Sequence, residues 1–310
     1  MNSETITVLI PAYNASTTIA RAINSILDQT YDQDKIKILV IDDGSKDSTL
    51  SVLQKIQKTL PESKLEIISR ENKGLSYTRS ELVANVHTKW CIFLDADDYY
   101  TKNAFSLIVK CIKPDTDLVC SKTVWWRHNT FKRTIVANNF NKHTKYSRYI
   151  THADFGYMWN KLYSMKFLKK INFDKIPHID NITMFEDLYL NSIIFDKKPN
   201  LSFCTAHTYI YIITKKNMSN NANTMSFRPI LQALSYIKTE CKNPFFVANF
   251  YNTCVSWISW VFLKNNDKPM YKNAIRELNS IVSSDERKYH TSLSLWRRAY
   301  VLMNRKYSKI

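Results

Sequence analysis

The sequence predicts an α/β fold, a sheet flanked by helices and followed by a mainly helical C-terminal region. Three observations carry this. Short apolar runs and segments of helical periodicity alternate over the first 120 residues. The apolar runs are nearly continuous, as strands covered on both faces require. From about Ser226 onward the pattern is helical. A strand–helix series of this kind implies a parallel sheet joined by crossover helices.

The elements follow in order. "TVLI" (7–10) is a strand, and "STTIARAINSILDQT" (16–30) a helix with Ile19, Ala22, Ile23, Ile26 and Leu27 on one face and Ser16 or Thr17 as its N-cap. "IKILVID" (36–42) is a strand ending on Asp42, and "DSTLSVLQKIQKTL" (47–60) a helix capped by Asp47. A strand at 64–69, a helix at 75–86, a strand at 89–94 and a helix at 101–112 complete the series. Residues 121–152 read as short strands and a basic loop, 185–196 as a helix, and the surroundings of 201–213 as strands. "PFFVANFYNTCVSWISWVFL" (244–263) carries no charge, but Asn249, Asn252, Ser256 and Ser259 give it a polar stripe that argues against a membrane span.

Composition excludes several classes. The only glycines are Gly44, Gly74 and Gly156, so neither a GxGxxG nor a GxxxxGK[ST] phosphate loop exists. Any phosphate must be held by a metal or by basic side chains. The six cysteines form no CxxC pair and read as buried thiols of a reducing compartment rather than disulfides or zinc ligands. "MNSETITVLIPAYN" has neither the basic start nor the long apolar core of a signal peptide, so a cytoplasmic protein is expected. The net charge of +17 is uneven. Residues 1–120 hold 14 Lys/Arg against 16 Asp/Glu, and residues 121–310 hold 30 against 11. A basic second half suggests an anionic partner. A nucleic acid is not expected, because no nucleic-acid motif accompanies the charge.

Ligands of open α/β sheets bind at the carboxyl ends of the strands. Two acidic clusters fall there: "IDDGS" (41–45) and "LDADD" (94–98). Turn formation and helix capping can account for Asp42 and Asp43. One cap needs only one carboxylate, however, and the second cluster has Asp95, Asp97 and Asp98. The i, i+2 spacing lets Asp95 and Asp97 converge on one hard cation, Mg²⁺ or Mn²⁺, which turns their repulsion into attraction and leaves room for a diphosphate.

With "IPAYN" (10–14), "IDDGSKDST" (41–49), "ENKGLSYTRS" (71–80), "FLDADD" (93–98), "WNKLY" (159–163) and "FEDLYLN" (185–191) in this order, the chain resembles a family 2 glycosyltransferase of the GT-A fold over roughly residues 5–215. The resemblance implies a Rossmann-like mixed sheet and a catalytic, nucleotide-sugar-binding domain over 1–215. Residues 216–310 carry no such resemblance, and their own helical, basic pattern suggests a region that contacts acceptor or membrane surface. It implies inverting transfer from a nucleotide donor, commonly a UDP-sugar, to a glycan, lipid-linked or glycoprotein acceptor, with Mn²⁺ or Mg²⁺ as cofactor. Pro11, Ala12, Tyr13 and Asp43 would contact the nucleotide, as would Arg79, which stands with Ser80 where the family often has Arg-Asn. Asp95 would face ribose or diphosphate and share the metal with Asp97, while Asp98 caps the following helix. Asp187 matches the family's general base, with Glu186 as its positioning neighbour. Taken alone, Glu-Asp also suits a solvated helix start.

Trp159, Asn160 and Lys161 have two readings: a donor or acceptor pocket, or a buried tryptophan anchoring a strand. Lys215 and Lys216 stand where relatives often have a basic residue near the diphosphate, and solvated surface is the other reading. His152 and His207 read as structural. "SLSLWRRAYVLMNRKYSKI" (292–310) is a basic amphipathic helix, suited either to an anionic membrane on the inner face of the cell or to packing with a solvated basic back. The alternative function is a nucleotide-sugar-binding module without turnover.

Overall fold

Strand β1 (Ile6–Ala12) is buried along its whole length, as its unbroken apolar run requires. Among the described residues of the computed structural model it belongs to a nine-stranded sheet, between the strands Ile36–Asp43 and Trp90–Phe93. The structure describes residues 4–127, 132–134, 141–150, 153–180, 182, 185–213, 227–264, 268–283 and 285. The chain divides into two compact units. The first joins Met1–Asp180 to Lys197–Asn217, and the second joins Asn181–Asp196 to Met218–Ile310.

In the first unit, helix α1 (Ile19–Leu27) buries Ile19, Ala22, Ile23 and Ile26, the face predicted from its spacing. The strands and helices that follow are β2 (Ile36–Asp43), α2 (Thr49–Gln57), β3 (Leu65–Arg70), α3 (Leu75–Ala84) and β4 (Trp90–Phe93). Next come β5 (Tyr99–Tyr100), α4 (Ala104–Val109), β6 (Leu118–Arg127), β7 (Lys132–Thr134) and α5 (Tyr146–Tyr149). Strand β8 (Lys161–Ser164) and helix α6 (Met165–Lys170) precede the unit boundary. The second unit opens with α7 (Glu186–Asp196), and the chain returns to the first in β9 (Leu201–Ile213). Helices α8 (Arg228–Glu240), α9 (Pro244–Lys264) and α10 (Lys268–Ile281) belong to the second unit. Among the described residues no helix is long and apolar enough to cross a membrane.

The strand order is β3-β2-β1-β4-β8-β6-β9-β5, with β7 beside β6. Strands β1 to β4 pair in parallel, as the alternation implies. The rest goes beyond the parallel series and has the mixed character that the resemblance implies. Strand β8 is antiparallel to both β4 and β6, and β5 is antiparallel to β9, so the sheet is mixed. Strand β9 in turn pairs in parallel with β6. The strands expected around 201–213 are one strand of 13 residues.

One detail differs from the sequence reading for a local reason. No side chain caps α1; its approach is held instead from α2, where the Asp47 carboxylate accepts the Ser16 amide at 3.1 Å and the Thr49 hydroxyl accepts the Ala15 amide at 2.8 Å. Gly44 has φ +72°, and a Cβ there would lie 2.7 Å from the Asn72 amide nitrogen, so the loops after β2 and β3 pass too closely for a side chain. All six cysteines are free thiols, and five are buried.

Candidate active site

The carboxyl ends of β2, β1 and β4 are neighbours, and seven of the predicted residues gather there. Pro11 and Ala12 end β1 in register with Ile41 and Asp42 of β2. Tyr13 follows with its ring 49% exposed, unusual for so large an apolar group. Asn14 takes a left-handed φ of 49°, and its amide donates to the Ser45 hydroxyl at 2.9 Å while its Oδ1 accepts the Lys46 amide at 2.8 Å. The loops after β1 and β2 are therefore tied together, with Tyr13 exposed beside them.

Asp43 is nearly buried, and its carboxylate accepts from the Arg70 guanidinium, from the Lys73 amide at 2.8 Å and from the Gly74 amide at 3.0 Å. Arg70 also donates to Glu81 Oε2 at 2.6 Å and to the Thr78 hydroxyl at 2.9 Å, and lies over the Tyr77 ring at 5.0 Å. Asp43 thus shapes the loop into α3. Asp42 binds the Ser45 and Ser69 hydroxyls, the turn role open to it from the sequence.

The Asp95–Asp98 segment is a closed turn, with the Asp98 amide donating to the Asp95 carbonyl at 3.0 Å. Arg79, 1% exposed, donates to Asp95 Oδ1 at 3.1 Å. Arg21 reaches from α1 to the Asp97 carbonyl. Burial, and then the neighbouring Asp95 charge, push the Asp97 carboxyl up to about 6. A carboxyl destabilised by burial and a like charge fits a cation as partner. Among the described residues no three His, Cys, Asp or Glu side chains form a metal cage. Two carboxylates without a cage suit Mg²⁺ or Mn²⁺, which commonly completes its sphere with phosphate oxygens and water. The residues present fit the ion.

Asp98 corrects the expectation that it caps a helix. The next element is β5, not a helix, and the fully buried Asp98 carboxylate accepts the Tyr209 hydroxyl and the Ile212 amide, both at 2.7 Å. Trp159 is 2% exposed and stacks between Tyr157 (4.6 Å, 15°) and Tyr209 (4.4 Å, 11°). Its anchoring reading therefore has a direct structural counterpart. Asn160 and Lys161 are wholly buried, with the Asn160 Oδ1 accepting from Lys161 Nζ at 2.8 Å. The His207 carbonyl accepts the Thr101 hydroxyl at 3.4 Å. His152, Lys215, Lys216 and the basic helix at 292–310 lie outside the described residues.

Glu186 and Asp187 belong to the second unit and open α7. Glu186 is 8% exposed, and the Asp187 carbonyl accepts the Asn191 side-chain amide at 2.9 Å. The preceding Phe185 has φ 68°, a costly backbone for a bulky residue and of the kind found at functional sites. Both acids lie in the first turn of α7, near its positive end.

Arg70, Arg21 and Tyr209 were missed in the sequence. Parallel register places Arg70 beside Asp43, a pairing recoverable once β2 and β3 are aligned. Nothing local marks Tyr209, which reaches the Asp95 amide from 114 residues away.

The glycosyl transferase family 2 model matches residues 7–172. An uncharacterised glycosyltransferase of Mycoplasma genitalium is 32% identical over 139 residues, which cover 41% of this chain and 46% of that relative, so the chain spans less than half its length. The processive diacylglycerol beta-glycosyltransferase of the same organism is 26% identical over 73% of this chain and 69% of its own. The cholesterol galactosyltransferase of Borreliella burgdorferi is 24% identical over 89% of this chain and 82% of its own. Among solved structures, S. aureus TarS 1–349 in complex with UDP-GlcNAc superimposes with a TM-score of 0.70 at 18% identity, covering 91% of this chain and 82% of that one. The fold is that of the GT-A glycosyltransferases.

Proposed function

The chain belongs to glycosyl transferase family 2, and from that premise we propose a metal-dependent, inverting glycosyltransferase that moves a sugar from a UDP-sugar to a hydroxyl of a lipid or lipid-linked acceptor. The observation that carries this is the turn beyond β4, where Asp95 and the half-buried Asp97 stand close enough for one charge to raise the other's carboxyl, beside the loops that present Tyr13 and Asp43. UDP-GlcNAc in the TarS structure supports a uridine donor. Two relatives named for lipid acceptors, aligned over 73% and 89% of the chain, support a lipid. The basic second half supports work as a peripheral protein on an anionic, cytoplasmic membrane face.

In this reading Tyr13 stacks on the base, and the loop shaped by Asp43 and Arg70 borders the nucleotide. Asp97 and Asp95 would hold the divalent ion, which when bound would supply positive charge to stabilise the departing diphosphate. Arg79 holds Asp95 in place. Asp187 accepts the proton of the acceptor hydroxyl as its oxygen bonds to the anomeric carbon. The bond to the diphosphate oxygen breaks with its electron pair, and the configuration inverts. Glu186 positions Asp187.

The test is UDP release from a panel of UDP-sugars, with and without Mn²⁺, in the presence of lipid vesicles. Asp97→Ala should abolish Mn²⁺-dependent release. Asp187→Asn should still bind UDP yet lose roughly 10²–10⁴-fold in turnover, the usual worth of a general base. Wild-type turnover in Asp187→Asn would remove the base assignment. Donor binding without turnover on any acceptor would make the protein a nucleotide-sugar-binding module.

A further inference from the structure

Tyr209 of β9 is fully buried, and its hydroxyl meets both ends of the turn after β4. It donates to Asp98 Oδ2 at 2.7 Å and accepts the Asp95 amide at 3.2 Å. The other Asp98 oxygen accepts the Ile212 amide at 2.7 Å, so the turn is bonded to β9 through backbone as well as side chain. The Tyr209 ring is fixed in turn. It stacks on Trp159 at 4.4 Å and meets Tyr100 edge-on at 5.3 Å and 86°. The Tyr100 hydroxyl donates to the carbonyls of Phe93, the last residue of β4, at 2.6 Å and of Trp159 at 3.1 Å.

One hydroxyl that gives to residue 98 and takes from residue 95 sets the span between them, and Asp97 lies inside that span. Tyr209 exposes nothing to a ligand, so any influence on one passes through the turn. We propose that Tyr209, together with Asp98, is a positioning residue that sets the geometry at which Asp95 and Asp97 receive a divalent cation. This rests on the reading that those two carboxylates hold the ion. The arrangement matches the general logic of metal sites, where groups bonded to the ligands fix their orientation and affect affinity about 10–100-fold.

The test measures Mn²⁺ affinity in the presence of UDP, from the paramagnetic resonance signal of free Mn²⁺, with melting temperature recorded alongside. Tyr209→Phe keeps the stacked ring and removes both hydroxyl bonds. It should weaken Mn²⁺ by about tenfold or more. Thr208→Val, the neighbouring buried position of the same strand, removes a hydroxyl bond to Ser121 at 2.7 Å and does not touch the turn. It should lower the melting temperature and leave Mn²⁺ affinity unchanged, which separates positioning from a purely structural role. Asp98→Asn is the companion variant and should weaken Mn²⁺ in the same direction. Wild-type Mn²⁺ affinity in folded Tyr209→Phe overturns the proposal while leaving the metal site intact. Wild-type affinity in Asp97→Ala instead removes the metal reading, and the proposal with it.

Discussion

Asp97 carries a conflict that the proposed cation would resolve. Burial and the Asp95 charge raise its carboxyl to about 6. A carboxyl raised in the folded state favours folding while protonated. Its contribution is complete below the unfolded value near 4 and disappears as pH climbs through 6. Two pKa units correspond to at most about 3 kcal/mol. The metal-free protein should therefore lose melting temperature between pH 4 and pH 7, and Asp97→Asn should flatten that slope. Mn²⁺ with UDP should restore the loss, so the Mn²⁺-dependent shift should grow as pH passes 6, measured by thermal melts across that range. An equal shift at pH 5 and pH 7.5 would contradict the assignment. The Asp95 and Asp97 pair was legible because the i, i+2 spacing at a strand end is a local pattern. The Arg70 partner of Asp43 was not, because it depends on register between two strands.

At the scale of elements, Asp47 joins α1 to α2. Its carboxylate accepts the Ser16 amide at 3.1 Å and the Thr49 amide at 3.0 Å. Burial works against its ionised form, yet the bonds from Thr49 and Ser16 hold its pKa down to about 2. Asp47→Ala should cost about 1 kcal/mol, typical of a lost cap. It should also loosen the approach to α1, read as faster amide exchange at Ala15 and Ser16. Because the folded pKa is depressed, the Asp47 contribution is present above the unfolded value near 4 and fades as pH falls through 2. The first four strands and their helices were legible because apolar runs and helical periodicity are written within a dozen residues. The mixed half of the sheet was not. Leu118 pairs with Leu201 and Cys120 with Lys161, and no local pattern announces either partner or direction. Asp98 was misread for this reason: its neighbours in sequence suggested a cap, whereas its partners lie in β9.

At the scale of the whole molecule, charge is the dominant sequence feature. Residues 121–310 carry 30 Lys/Arg against 11 Asp/Glu. The protein should sediment with vesicles containing phosphatidylglycerol and remain in solution with neutral phosphatidylcholine. Binding should fall steeply between 0.1 and 1 M salt, where the screening length drops from about 10 to about 3 Å. Removal of residues 292–310 should weaken it, and retention of full binding would reject that segment as the contact. A different consequence follows from β9, which enters the sheet between β6 and β5 and supplies Tyr209. A nascent chain that has left the ribosome only as far as residue 200 already contains every acidic residue of the turn, yet lacks the strand that gives the turn its shape. On the proposed reading the turn takes its final shape only once residue 213 is made, and an expression clone trimmed to residues 7–172, the stretch matched by the family model, would encode Asp95 and Asp97 without Tyr209.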